Sequence, residues 1–134
     1  MKAKILSFAI LLFVITSAFA ARIHFVGTPC LDTETGWITG KVAGLGTNPN
    51  GLTISISGRY GCDNPADKRP PSWNNLTISD IPLKSDGAGN YTFEVNIFNY
   101  IPRDCPNAQW DMTFDLTATV SSTNISKHID TDCN

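Results

Sequence analysis

The chain has 134 residues, among them ten basic residues, twelve acidic residues and two histidines. This length fits one domain with a modest hydrophobic core. The slight excess of acidic residues argues against a nucleic-acid binder, because phosphate recognition depends on clustered lysines and arginines.

The first 20 residues have the pattern of a secretory signal peptide. The basic segment Met1–Lys4 precedes an apolar run from Ile5 to Val14, and Ala18-Phe19-Ala20 fits a peptidase site. The apolar run is shorter than the roughly 20 residues of a membrane-spanning helix, so an anchor is the weaker alternative. We expect residues 1–20 to be removed, residues 21–134 to form one domain, and the protein to be extracellular without membrane insertion.

Short strands are predicted in the first half of this domain. A first strand is expected from Arg22 to Thr28, and residues 29–36 form the turn that leaves it. Trp37–Ala43 alternates as a second strand. Leu52–Ser57 is the third, with leucine and isoleucines on one side and hydroxyls on the other.

The stretch over residues 63–74 contains three prolines, which have no backbone N–H to donate to a neighbouring strand. We therefore predict an exposed loop here. Lys68, Arg69 and Trp73 bring charge and an indole to this loop, a combination typical of recognition surfaces. We predict these three as binding residues. Trp37 and Tyr60 join them if their side chains face outwards, and Tyr100 is a further candidate. The alternative for Trp73 is that it fills the end of the core.

Strands continue in the second half. Leu76–Leu83 is one, and the turn Ser85–Asn90 joins it to an alternating strand over Tyr91–Ile97, which together predict a hairpin. Trp110–Val120 has apolar side chains on every second residue and is predicted to be the central strand. A short strand over Asn124–Asp130 completes an all-β, single-domain antiparallel β-sandwich of about seven strands, Ig-like or prealbumin-like, with a small β-barrel as the alternative.

Four cysteines, Cys30, Cys62, Cys105 and Cys133, lie after the signal segment. An even number in an exported chain indicates two disulfides, and three pairings are open. We favour Cys62 with Cys105, since both occupy similar strand-end contexts, and Cys30 with Cys133, since both lie near the ends of the domain. A zinc site is the alternative, but the paired C-x-x-C spacing is missing. Calcium at the aspartates of turns and strand ends is a second alternative, but none of them shows a D-x-D-x-D-G pattern. We therefore predict no metal and no cofactor.

Three Asn-x-Ser/Thr triplets, at Asn75, Asn90 and Asn124, are candidate glycosylation sites if the source is a eukaryote. The competing interpretation is chance in a chain rich in serine, threonine and asparagine.

No catalytic constellation is recognisable, so we predict a protein that is not an enzyme. His24 and His128 lie near the ends of the domain, and there is no Gly-x-Ser-x-Gly elbow. Asp111 and Asp115 on the central strand could flank a sugar, as the carboxylates of a glycosidase do. The favoured interpretation is that they keep one face of the strand in water.

Two resemblances are carried by particular motifs. Asp86–Phe93 resembles the D-x-x-G-x-Y-x-F hairpin of prealbumin-like and collagen-adhesin B-type modules, which implies a sandwich fold. Gly40–Gly46, Cys62–Pro65 and Cys105–Trp110 together resemble a family of small secreted proteins of bacteria and fungi without an assigned activity. That resemblance implies export and a β fold. The chain departs from the family pattern by adding Cys133.

These features together predict a secreted, disulfide-stabilised binding protein, monomeric and effector- or elicitor-like at a host or cell surface. Its expected partner is an extracellular protein or a glycan. The alternative function is a carbohydrate-binding module.

Overall fold

Nine strands and one short 3₁₀ helix lie in the part of the chain that the structure, a computed structural model, describes: residues 22–46, 51–66 and 72–133. The predicted signal peptide and the predicted binding residues Lys68 and Arg69 lie outside these ranges. The strands are β1 His24–Phe25, β2 Cys30–Leu31, β3 Trp37–Ala43, β4 Thr53–Asp63, β5 Trp73–Pro82, β6 Lys84–Ser85, β7 Tyr91–Asn96, β8 Asp111–Val120 and β9 Ser126–His128, with the 3₁₀ helix at Ile97–Asn99.

The strands form two antiparallel sheets. In the first, which we call the β3 sheet, the order is β1-β3-β7-β6, and β2 also pairs with β3. In the second, the β8 sheet, the order is β5-β4-β8-β9. Within the described ranges the sheets do not close into a barrel, so the predicted β-sandwich is confirmed and its barrel alternative is wrong. No described helix is long and apolar enough to cross a membrane.

The alternation predicted for the central strand is confirmed in β8. Leu116, Ala118 and Val120 are buried, whereas Asp111 and Asp115 are exposed. The buried side of β8 meets aliphatic side chains of β4 and β5 and the inward residues of the β3 sheet. Burial of these side chains supplies the main favourable term in folding.

Strand β4 is longer than predicted, since it continues past Ser57 to Asp63. Its second half contains Gly58 and Gly61, which interrupt the apolar alternation that signals a strand. The backbone still pairs with β8 over the whole length, from Ile54 to Asp63. The prediction was therefore wrong about where this strand ends, because glycine carries no side chain that could show periodicity.

The first strand is shorter than predicted. Only His24–Phe25 and, after a break, Cys30–Leu31 pair with β3. The turn predicted over residues 29–36 is therefore wrong at Cys30–Leu31, which form a strand. A positive φ of 71° at Gly27 lies in the break and bends the chain away from the ladder.

The disulfides join Cys30 to Cys133 and Cys62 to Cys105, the pairing favoured from sequence. Their Cα–Cα distances are 5.7 and 5.8 Å, which suit a disulfide. The first disulfide lies beside a parallel bridge between Cys30 and Asp130. There the N–H of Leu31 donates to the carbonyl of Asp130 at 2.8 Å, which fastens an edge of the β3 sheet to the chain that follows β9.

The predicted hairpin between Leu76–Leu83 and Tyr91–Ile97 is wrong, because β5 pairs with β4 in the β8 sheet. Strand β7 pairs instead with the two-residue strand β6, across the predicted turn, which is held by Asp86. One Asp86 oxygen accepts the N–H groups of Ala88 at 2.7 Å and Asn90 at 3.1 Å, and the other lies 3.5 Å from Nζ of Lys41. The Ala88 N–H contributes most to holding the pKa of Asp86 below its ordinary value, with help from Asn90 and Lys41.

We therefore expect Asp86→Asn to lower stability at neutral pH and to matter less in acid. A carboxyl with a lowered pKa stabilises the fold above its unfolded-state pKa, near 3.8, and loses that contribution as the pH falls through the folded-state pKa. Urea unfolding of both proteins from about pH 6 to about pH 2 measures this, because the series begins above the unfolded-state pKa and continues below it. A stability difference that grows on acidification would contradict the assignment.

Candidate functional site

The structure separates Trp73 from Tyr60, two predicted binding residues that lie in the described ranges. Trp73 is the first residue of β5, and 38% of its surface is exposed. Tyr60 lies on the other side of its strand, where it is half-buried against the core and pairs across the strands with Phe114. Tyr60 therefore does not extend the surface around Trp73, and the condition that its side chain faces outwards is not met.

Trp73 instead lies against an arginine. The guanidinium carbon of Arg59 is 4.3 Å from the Trp73 ring centroid, and Nε of Arg59 donates to Oδ2 of Asp115 at 3.2 Å. Oδ1 of Asp115 is 3.9 Å from Nδ1 of His128. We call Arg59, Trp73, Asp115 and His128 the Trp73 surface. It lies on the outer face of the β8 sheet and draws on all four of its strands.

The register of the sheet assembles this surface. Arg59 and Asp115 are direct cross-strand partners in β4 and β8, and Trp73 faces Gly61 in the β4–β5 pairing. Because Gly61 has no side chain, the indole can lean along the strand towards Arg59. Arg59 was missed from sequence, since it lies beyond the predicted end of its strand and meets Asp115 only through the register of β4 with β8.

The contacts of the Trp73 surface add little to stability. Exposed ion pairs contribute about 0.2–1 kcal/mol, and an exposed cation–π contact contributes about 0.5–1 kcal/mol. Their effect is to hold a planar cation and an indole in one orientation. Arginine and tryptophan are also enriched among residues that dominate protein–protein binding energy.

The two carboxylates considered for catalysis have different surroundings. Asp115 is engaged by Arg59 and His128 on the open face of the β8 sheet. Asp111 instead lines a hollow of about 580 Å³ together with Trp110 and other residues of the chain that precedes β8. A glycosidase needs both carboxyl groups on one substrate, and this arrangement does not provide that. In the described ranges no group of three or more His, Cys, Asp or Glu is placed to hold a metal ion.

The three glycosylation candidates differ in their surroundings. Asn75 is exposed on β5 and is the cross-strand partner of Arg59, so a glycan there would stand beside the Trp73 surface. Asn124 is exposed in the turn between β8 and β9. Asn90 is half-buried, and its N–H is tied to Asp86. Use of these sites stays a prediction.

Comparison with known proteins found no family model and no curated protein that matches the chain. The resemblance to small secreted proteins of bacteria and fungi therefore stays a prediction.

Proposed function

We propose that the chain is a secreted binding protein that engages an extracellular protein partner through the Trp73 surface, in the manner of an effector or elicitor at a host or cell surface. The observation that carries this proposal is the Arg59 guanidinium stacked on an exposed Trp73, beside the loop between β4 and β5. The sequence places Lys68 and Arg69 in that same loop.

The chemistry of the surface indicates the kind of partner. Arginine has five N–H donors in a planar fork, and the contact with Asp115 uses that of Nε. The terminal N–H groups can receive a carboxylate of the partner in a bidentate pair. Trp73 offers apolar area beside them. A partner that presents a carboxylate next to an apolar patch fits this surface.

Export supports the setting of the proposal. The first 20 residues have a signal-peptide pattern, and the two disulfides are compatible with an extracellular protein. The proposal assigns the protein no enzymatic activity, because Asp111 and Asp115 have separate surroundings. Action by binding requires only a rigid surface, and the antiparallel sheet with its disulfides supplies one.

The test begins with protein recovered from the medium of cells that express the full chain with Asn75→Gln, which leaves the Trp73 surface free of glycan. Proteins captured from extracellular fluid are identified by mass spectrometry, and each candidate is then purified and titrated. We expect Trp73→Ala and Arg59→Ala each to lower the affinity for the specific partner about 30-fold. This is the loss typical of a dominant contact of about 2 kcal/mol.

Trp37→Ala is the matched control, because it removes an exposed indole from the opposite sheet. Equal melting temperatures of all variants establish that the fold is intact. A purified partner that binds Trp73→Ala and Arg59→Ala as tightly as the parent would contradict the proposal.

A further inference from the structure

A groove of about 650 Å³ crosses the outer face of the β3 sheet, on the side of the molecule opposite the Trp73 surface. Strands β3 and β7 form its floor. The segment between β1 and β2 and the strand β6 form its sides. We call it the Trp37 groove, and its side chains that bear on recognition are Trp37, Thr39, Lys41, Lys84, Thr92 and Glu94.

Trp37 gives the groove an exposed aromatic platform. It is the first residue of β3, and 44% of its surface is exposed, a larger fraction than for Trp73. Unlike Trp73, it has no arginine over its ring among the described cation–π contacts. Its indole is therefore available to a ligand. An indole ring stacks well on the apolar face of a sugar ring, because it combines apolar area with a polar N–H.

The backbone that carries Trp37 is rigid. Oδ1 of Asp32 accepts the N–H groups of Glu34 at 2.9 Å and Thr35 at 3.2 Å, and the N–H of Asp32 donates to the Trp37 carbonyl at 2.9 Å. Phe98 packs against Gly36, directly before Trp37. A platform that is already fixed in the free protein loses little conformational entropy when a ligand binds.

Beyond Trp37, the groove is lined by polar side chains that are cross-strand partners on β3, β7 and β6. Thr39 pairs with Glu94, and Thr92 lies between Lys41 and Lys84. At a rise of about 3.3 Å per residue, Trp37 and Lys41 are separated by about 13 Å along the strand. The groove therefore combines one stacking platform with hydroxyl, ammonium and carboxylate groups over the length of a short oligosaccharide.

The charges in the groove are balanced. Lys41 is paired with Asp86 at 3.5 Å. Lys84 and Glu94 then remain with opposite charges and have no ion-pair partner in the described ranges. A polyanion would meet Glu94, and a polycation would meet Lys84. A neutral ligand whose hydroxyls both donate and accept hydrogen bonds can use both groups.

From this arrangement we propose that the Trp37 groove binds a neutral oligosaccharide segment of an extracellular polysaccharide, with one sugar ring stacked on Trp37 and neighbouring hydroxyls bound by Lys84 and Glu94. The site is separate from the Trp73 surface and does not depend on the protein partner proposed above. The two sites would allow the protein to be held at a polysaccharide matrix while its opposite face binds a protein.

The test uses the full chain recovered from the medium and four insoluble neutral polysaccharides as probes: cellulose, β-1,3-glucan, chitin and mannan. Polygalacturonic acid and heparin are the anionic controls. We expect retention by at least one neutral polysaccharide, and oligosaccharides of that polymer to change the tryptophan fluorescence. Trp37→Ala should weaken binding about tenfold or more, because it removes both the stacking platform and its apolar contact area.

Trp37→Tyr keeps an aromatic ring and should retain part of the affinity, which separates stacking from a folding defect. Trp73→Ala should bind the polysaccharide as the parent does. Three results would each overturn the proposal: no retention by any of the four neutral polymers, unchanged retention of Trp37→Ala, or retention by the anionic polymers alone. Loss of a protein partner in Trp37→Ala, without polysaccharide binding, would reassign the groove to a protein.

Discussion

Replacing Cys30 and Cys133 together by serine is expected to lower the free energy of unfolding by about 4.7 kcal/mol, the largest loss that we predict for this protein. The disulfide spans a separation of 103 residues. In the chain-entropy account, a bridge of that length strongly restricts the unfolded chain. It also secures the segment that follows β9, where Ile129 is buried and Asp130 bridges to Cys30.

The matched control is the double substitution of Cys62 and Cys105, whose disulfide spans 43 residues. The same relation gives a loss of about 4 kcal/mol for this shorter loop. Urea unfolding of the parent and both double variants, followed by circular dichroism, measures the two losses. If the parent is no more stable than the variant without Cys30 and Cys133, the disulfide between them does not contribute to stability.

Gly58→Ala is expected to lower the free energy of unfolding by about 3 kcal/mol, because two effects coincide at this position. The φ angle of Gly58 is +145°, which residues with a side chain rarely adopt. A Cβ there would also collide with the backbone carbonyl oxygen of Asp115 on the neighbouring strand β8. Neither backbone can move away without loss of ladder hydrogen bonds.

Gly87→Ala separates the two effects. Its φ angle is +77°, but nothing lies within 4 Å of the position of the added Cβ. Backbone strain alone should therefore cost about 1 kcal/mol. Thermal and urea unfolding of the two variants give the comparison. If Gly58→Ala lowers the free energy of unfolding no more than Gly87→Ala does, β4 and β8 do not approach as closely as described.

The elements with strong local signals were predictable from sequence. β3 has the predicted bounds, and β8 alternates as its side chains indicated. The turn before β7 also lies in the expected place, although the strand predicted to pair with β7 across it lies in the other sheet. The disulfide pairing is the one favoured among the three that the sequence left open, since similar strand-end contexts favoured Cys62 with Cys105 and positions near the domain ends favoured Cys30 with Cys133. In each of these cases, the residues that determine the structure are neighbours in sequence or share a recognisable context.

The candidate sites were less predictable, because both depend on strand register. Arg59 meets Asp115, 56 residues away, only through the pairing of β4 with β8. Because glycines interrupt the apolar alternation of β4, the sequence does not show that this strand continues past Arg59. Without the extent of the strand, Tyr60 could not be assigned to one of its faces. The Trp37 groove requires the pairing of β3 with β7, which places Glu94 beside Thr39. No local pattern gives that pairing.

Protein binding and polysaccharide binding should be measured for four proteins: the parent, Trp73→Ala, Trp37→Ala and the variant with both changes. All are made with Asn75→Gln. We expect Trp73→Ala to lose the protein partner alone, Trp37→Ala to lose the polysaccharide alone, and the double variant to lose both. Full affinity of Trp73→Ala for the purified protein partner would show that this protein does not act by binding through the Trp73 surface.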